Sequence, residues 1–409
     1  MNPFPILLAD LRAMRFSAAF IVALIGIAVA LGVAVGAQER ALRQASARAA
    51  ADFPLIIGAP ASQTQLVLTA VYLQPEALPL ISGQALNSLL NDPRVADAAP
   101  LAYGDVVAGY PVIGTTTAFV TRWGRLSPTE GRVFAEEGEA VIGADVKLAI
   151  GRSFRPSHAM AGERRQPGVE GDGEAGHRHE TTLTVVGRLP RTYSPWDRAI
   201  LIPVESVWET HGLGNGHETG NERIGPPYAG NIPGLPAIVV KPRGVADAYQ
   251  LRAKYRQDGS MALFPAEVLT SLYQTVGDIR DLLVVAAALN NVVVFLAIML
   301  LLVTLAGLRR RRYAVLRALG AARFYVCLVV WLTGSTLVTA GCLLGLCMGW
   351  GAALVLSTLI EWNTGLVLQP VPGGDEALLC LGMVAMGWGM SLVVALLATR
   401  GDVVTSLRS

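Results

Sequence analysis

Long apolar runs alternate with mixed polar segments along this chain. Phe16 to Ala37 continues for about 22 residues without a charge, enough as a helix to cross a bilayer core of roughly 30 Å. Leu282 to Leu308 adds about 27 uncharged residues, Phe324 to Ile360 about 37, and Ala377 to Thr399 about 23. The third run could hold two short spans. Residues 361–376 after it, however, carry Glu361, Asp375 and Glu376 and no base, as an external loop would, so four spans are predicted. Arginines set the orientation. Arg12 and Arg15 precede the first span, Arg309 to Arg312, Arg317 and Arg323 separate the second from the third, and Arg400 and Arg408 follow the fourth. By the positive-inside rule both termini and the central loop face the cytoplasm, and Gln38 to Arg280 lies outside. A cleaved signal peptide ending at Val35-Gly36-Ala37 is the competing reading. The apolar stretch is longer than a signal core, and its removal would leave an odd number of spans, so a retained helix is expected.

The external segment is patterned as a globular domain. Arg43 and Arg48, interleaved with Leu42, Ala45 and Ala49, continue the first span as a helix. Strands are predicted at 53–57, 97–107, 111–117, 140–143, 183–186, 199–204 and 237–240, with Met261 to Phe264 a further apolar stretch. Gln65 to Tyr72 reads as strand or helix. Helices are expected at 83–90, through Lys147 and Leu148 to a stop at Gly151, at 245–257, and from Pro265 into the second span. Ser157 to Glu180 and Gly212 to Pro236 are polar and glycine-rich, the first expected as a mobile loop. The expected organisation is a cytoplasmic N-terminus (1–15), helix 1 (16–37), a base subdomain in two parts (38–117 and 236–281) around an inserted outer subdomain (118–235), and helix 2 (282–308). A cytoplasmic helix (309–323), helix 3 (324–360), an external loop (361–376), helix 4 (377–399) and a cytoplasmic C-terminus (400–409) follow.

Composition agrees: mean hydropathy is +0.46 and only 16% of residues are charged. The predicted fold is therefore an α-helical membrane protein with four transmembrane helices and a large mixed α/β extracytoplasmic domain between helices 1 and 2. A net charge of +2 without a basic tract argues against nucleic acid as a partner. The four cysteines, Cys327, Cys342, Cys347 and Cys380, all fall in apolar runs, so the external domain needs its own core rather than disulfides.

The densest signal is Arg309-Arg310-Arg311-Arg312-Tyr313-Ala314-Val315-Leu316-Arg317-Ala318-Leu319-Gly320-Ala321-Ala322-Arg323, with six arginines and no acid. Val315, Leu316 and Leu319 recur at helical spacing, which makes it a short amphipathic helix. A charge cluster that only fixes orientation is the plain alternative. Leu316-Arg317-Ala318-Leu319-Gly320-Ala321 resembles the signature that follows the second span in permeases of the MacB/FtsX type of ABC transporter. The layout resembles theirs too: one span, a large external domain, then three spans. So, less specifically, does Ile57-Gly58-Ala59-Pro60 followed by Gln65 to Tyr72. Arg312 and Tyr313 depart from the pattern, because many relatives have an acidic and then an apolar residue there.

The resemblance implies a homodimer in a bacterial inner membrane that docks two cytoplasmic ABC ATPase subunits, with ATP and magnesium bound on the partner and no cofactor bound directly. It implies ATPase coupling through Arg309, Arg310, Arg311, Arg312, Val315, Leu316, Arg317, Leu319 and Gly320. It further implies export or extraction of a lipoprotein, peptide or amphiphile, with a periplasmic adaptor as a further partner. The alternative is a mechanotransmitter that activates a periplasmic partner such as a cell-wall hydrolase. A P-loop needs G-x-x-x-x-G-K-[ST], and none of Lys147, Lys241 and Lys254 follows a glycine, so ATP hydrolysis is expected from a separate subunit.

Three smaller constellations remain. Ala28, Gly32 and Gly36, and Gly341, Gly345 and Gly349, repeat every four residues, which lets helices approach closely within the chain or across a dimer seam. Asn290 and Asn291 are read as interhelical hydrogen bonders, since no intramembrane charge accompanies them. His177, His179 and Glu180 form a candidate zinc site, against the alternative of chance histidines in a solvated loop. Ser157 with His158, or Asp197 near Ser194, could be drawn as a hydrolytic site, but no G-x-S-x-G elbow is present and catalysis is not expected.

Overall fold

The computed structural model describes the chain except for residues 1, 75, 159–181, 219, 258, 273–288, 290–291, 293–295, 297–298, 301–302, 305–306, 308, 365–366 and 400–409. It divides into two units, one of Met1–Arg43, Thr275–Leu359 and Leu368–Ser409, the other of Gln44–Gln274 and Ile360–Val367. A short helix α1 (Phe4–Ala13) opens the chain, where sequence pattern had assigned no element, and α2 (Arg15–Ala50) follows.

The second unit is a mixed sheet with helices. In chain order it contains β1 (Leu55–Gly58), α3 (Gln63–Tyr72), α4 (Gln84–Leu90), β2 (Val95–Val107), β3 (Tyr110–Thr115), α5 (Thr117–Val120), β4 (Glu130–Gly131), β5 (Glu139–Ile142), β6 (Ser153–Phe154) and β7 (Ser157–His158). It continues with β8 (Leu183–Arg188), β9 (Ile200–Pro203), α6 (Val204–Thr210), β10 (Ala237–Pro242), α7 (Val245–Gln257), β11 (Met261–Leu263) and a helix α8 whose described part is 265–272. The strands order as β11-β1-β10-β2-β3-β9-β5-β8-β4, with β7 added beside β2 and β6 beside β8. Neighbours are antiparallel except β3 with β9 and β5 with β8.

Side chains alternate between two cores, one on each face of the sheet. Leu55 and Ile57 of β1, with Ile238 and Val240 of β10, face Leu86, Leu89, Val207 and Trp208. Ile56 and Val239 face Leu66, Val67, Phe119 and Trp196. A sheet buried on both sides reads as continuous apolar strands, which is how these segments stood out. Gln65 to Tyr72 resolves as helix α3, and Ser62 accepts the Gln65 amide at its start (3.4 Å).

The helix expected through Lys147 and Leu148 is absent. The Arg188 guanidinium donates to the carbonyls of Val146 (2.9 Å) and Leu148 (2.8 Å), and the Asp145 amide donates to Asp197 O (2.8 Å). Backbone groups that a helix would pair internally are taken by tertiary partners. The strand expected to end at Val204 stops at Pro203, where α6 begins.

The first unit continues with α9 (Arg310–Ala318), α10 (Arg323–Thr364) and α11 (Gly374–Ala398). Among the described residues three helices are long and apolar enough to cross a membrane: Arg15–Ala50, Arg323–Glu361 and Glu376–Leu397. The second predicted span, 282–308, including Asn290 and Asn291, lies mostly outside the described residues. Of those described in it, Leu289, Val292, Leu296 and Leu300 are helical and exposed. Ile21, Ile25, Val29 and Val33 form a buried ridge on α2 at four-residue spacing, packed with Leu337, Val338, Cys342, Cys380 and Met383 of α10 and α11. Arg40 of α2 is ion-paired to Glu376, and Ser357 donates to Gln38 (3.2 Å).

Candidate functional site

The arginine-rich segment folds as α9, and the reason for its ending is visible in its bonds. Gly320 sits at φ +95°, a left-handed conformation that favours glycine. The Gly320 amide donates to Arg317 O (3.1 Å) and the Ala321 amide to Leu316 O (3.0 Å), the two bonds of a Schellman cap. Leu316 and Ala321 supply the apolar contact that accompanies such a cap. The Leu-Arg-Ala-Leu-Gly-Ala string is therefore a helix terminator that turns the chain into α10.

This cap divides the segment into an inner and an outer face. Inward, Tyr313 and Leu316 pack with Ile6 of α1 against Ala321, Tyr325, Val326 and Val329. Burial, with the Asp10 carboxylate a lesser cause, pushes the Tyr313 phenol above its ordinary pKa. Outward, Leu319 is 80% exposed, Phe324 77% and Val315 45%, beside the exposed Arg312 and Arg323. Arg317 is half-buried, and nothing is described of the side chains of Arg310 and Arg311.

Sequence reading missed how the loop is anchored. Arg309 Nη1 donates to Asp10 Oδ1 (2.7 Å), and both side chains are mostly buried. The Tyr325 hydroxyl donates to Asn2 O (3.0 Å). Thus α1 is bolted to both ends of the α9 turn. A lone acid less than two turns before a span gives little signal until its partner, about 300 residues away, is in place.

A second cluster lies in the sheet unit, just beyond the end of α2. Arg122 is 2% exposed, donates through Nε to Asp52 Oδ2 (3.1 Å) and through Nη1 to Phe119 O (2.7 Å). Its guanidinium stacks on the rings of Phe119 (4.3 Å) and Trp196 (4.8 Å). Burial lowers the Arg122 pKa and Asp52 opposes that shift. Arg125 Nη2 also donates to Asp52 (2.6 Å). Arg122, Trp123 and Gly124 have φ of +48°, +61° and +81°, a left-handed run that costs energy at its two non-glycine positions. The bonds of Arg122 hold that strain in place.

The glycine stripes have separate mates. A Cβ on Gly341 would lie 2.6 Å from Ile25 Cβ, on Gly345 2.7 Å from Gly26 O, and on Gly349 2.7 Å from Ala30 O, so this stripe abuts α2. Gly32 instead faces Leu379, and Gly36 faces Glu376, both of α11; Ala28 is buried. Gly26, Gly334 and Gly387 also make close helix contacts.

His177, His179 and Glu180 lie outside the described residues, and among the described residues no three His, Cys, Asp or Glu side chains are grouped to hold a metal ion. Asp197 closes a turn, accepting from the Thr192 amide (2.8 Å), the Thr192 hydroxyl (2.7 Å) and the Tyr193 amide (2.7 Å). Ser157 Oγ donates to Val106 O (3.2 Å).

No protein-family model and no curated relative matches this sequence. Solved structures that match part of this chain include two domains. The periplasmic region of MacB from Actinobacillus actinomycetemcomitans is 11% identical with a TM-score of 0.31, over 54% of this chain and 94% of that one. The extracellular domain of the noncanonic ABC-type transporter YknZ from Gram-positive bacteria is 11% identical with a TM-score of 0.29, over 51% of this chain and 98% of that one.

Proposed function

We propose that this chain is the permease subunit of an ABC transporter of a bacterial inner membrane, working as a homodimer with a separate cytoplasmic ATPase. ATP-driven motion of that partner is received by α9 and passed along the long helices to the external domain, which exports or extracts a lipoprotein, peptide or amphiphile. The observation that carries the reading is the outer face of α9 and its cap. Leu319, Phe324 and Val315 stand exposed in a basic setting, on a helix braced from behind by Tyr313, Leu316 and the Asp10–Arg309 pair. Apolar knobs on a rigid base fit a pocket on a partner protein, and a braced base transmits force instead of absorbing it. Arg309 is then an anchor of the receiver, and Val315 and Leu319 its contact surface. The absence of a P-loop in the sequence agrees with an engine on another chain.

The test is co-purification of the intact chain from mild detergent with ATPase activity measured. A P-loop ATPase is expected to come down with it. The double change V315D/L319D should cut that recovery at least about tenfold, because charge in an apolar interface core costs more than about 1.4 kcal/mol. Undiminished recovery would remove α9 as the docking element. A cell-wall hydrolase among the co-purifying proteins, with no exported cargo, would turn the reading towards mechanotransmission.

A further inference from the structure

The helix α1 packs inward with one side and leaves the other exposed. Inward, Ile6 packs with the cluster of Tyr325, Val326 and Val329, Leu7 is buried, and Asp10 pairs with Arg309. Outward, Phe4 is 60% exposed and Leu8 53%, and the exposed Arg12 follows at the same four-residue spacing. Asp10 is the lone acid in residues 2–20, so the exposed charges of this stretch are Arg12 and Arg15. The Arg15 guanidinium lies 5.0 Å from the ring of Phe16, which is 79% exposed. A single residue joins α1 to the first apolar helix. Met14 donates its amide to Asp10 O (3.1 Å), closing α1, and accepts the Ala18 amide (2.8 Å), opening α2. Its φ of −112° and ψ of 25° break the helix between them. The tethers of α1 lead to two further apolar runs. Arg309 directly follows 282–308, and Tyr325, which donates to Asn2 O, stands at the start of 324–360.

We propose that α1 is an interfacial helix that binds an anionic bilayer surface: Phe4 and Leu8 enter the boundary between headgroups and acyl chains, and Arg12 and Arg15 bind lipid phosphates. A helix held at the ends of three apolar runs stays at the membrane boundary, and there lipid takes the apolar area of Phe4 and Leu8 out of water. The arginines beside that apolar stripe complement an anionic leaflet, each one near the surface adding about fivefold to the affinity. A neutral headgroup offers the same apolar boundary without that attraction, so preference for anionic lipid is the signature of the arginines. None of these residues is among those assigned to ATPase docking, so the surface stands or falls independently of that reading.

The test is photolabelling of the full chain in nanodiscs, using phosphatidylglycerol or phosphatidylcholine with a diazirine in the acyl chain at equal mole fraction. Mass spectrometry maps the label, and the exposed Phe20, Ile27 and Leu31 of α2 give the internal reference. Residues 3–14 should be labelled by both lipids, and by phosphatidylglycerol at least about fivefold more. F4S/L8S should lower labelling of 3–14 with either lipid. R12Q/R15Q should bring the two lipids to within about twofold of each other, and R12K/R15K should keep the preference, since the charge remains. No label on 3–14 beside a labelled α2, equal labelling by the two lipids in the wild type, or a preference that survives R12Q/R15Q overturns the proposal. A crosslink of 3–14 to a second copy or to a co-purified protein in place of lipid assigns the face to that occupant and overturns it too. If R12Q/R15Q does not reconstitute, the wild type in about 0.5 M salt decides: the preference should fall as screening rises, and an unchanged preference overturns the proposal.

Discussion

Arg122 is a charge held inside a folded unit, and its environment sets what its loss would do. Asp52, Phe119 O and two aromatic faces surround it, so removing the acid leaves a guanidinium buried and unpaired. Asp52→Ala should destabilise the sheet unit by about 3 kcal/mol, whereas Arg125→Ala, from the exposed side of the same acid, should stay within about 0.5 kcal/mol. Thermal unfolding of the full chain in one detergent, followed through the sheet unit's aromatic signal, checks both; equal effects would mean that burial is not the cause. Composition gave no warning of this arginine. Thr121-Arg122-Trp123-Gly124 looks like a polar turn, and only the fold brings Asp52 and Trp196 to it. His217 and Glu205 were equally hidden, because burial of a polar side chain has no sequence signature of its own.

At the scale of elements the sequence was more legible. The α9 cap was readable as a motif before it could be explained, since its glycine and its two leucines are local. Regular helices and two-faced strands followed from period and apolar run length, because both are set by backbone geometry. The expected helix at Lys147 failed because Arg188, about 40 residues away, binds its carbonyls. The glycine stripes were visible as repeats, but which helix each meets was not. Their contacts give a graded prediction. Gly345→Val drives a side chain into Gly26 O and Val29, and should cost about 1–3 kcal/mol in thermal unfolding. Gly351→Ala, with nothing within 4 Å, should be neutral or stabilising by up to about 1 kcal/mol. Similar losses for both would mean that α10 does not pack on α2 in this way.

For the whole molecule, the proposed function needs force to pass from α9 outward, and whether the Asp52–Arg122 pair lies on that path is testable. Asp52→Asn is expected to keep ATPase co-purification within about twofold of wild type yet lose ATP-dependent change in protease sensitivity of the external domain. Retention of that change would show that the Asp52–Arg122 pair is no part of the path. The sequence by itself determined the long apolar helices of α2, α10 and α11, the mixed α/β pattern between α2 and α10 and the basic helix. Each of these is encoded by residues adjacent in the chain and by the free energy of moving them between water and an apolar phase. Tertiary structure alone decided the Asp10–Arg309 brace, the Asp52–Arg122 pair, the mates of each glycine stripe and the burial of Glu205 against His217. Their partners are distant in sequence, and hydrogen bonds and desolvation act only between groups that folding has already brought within a few ångströms.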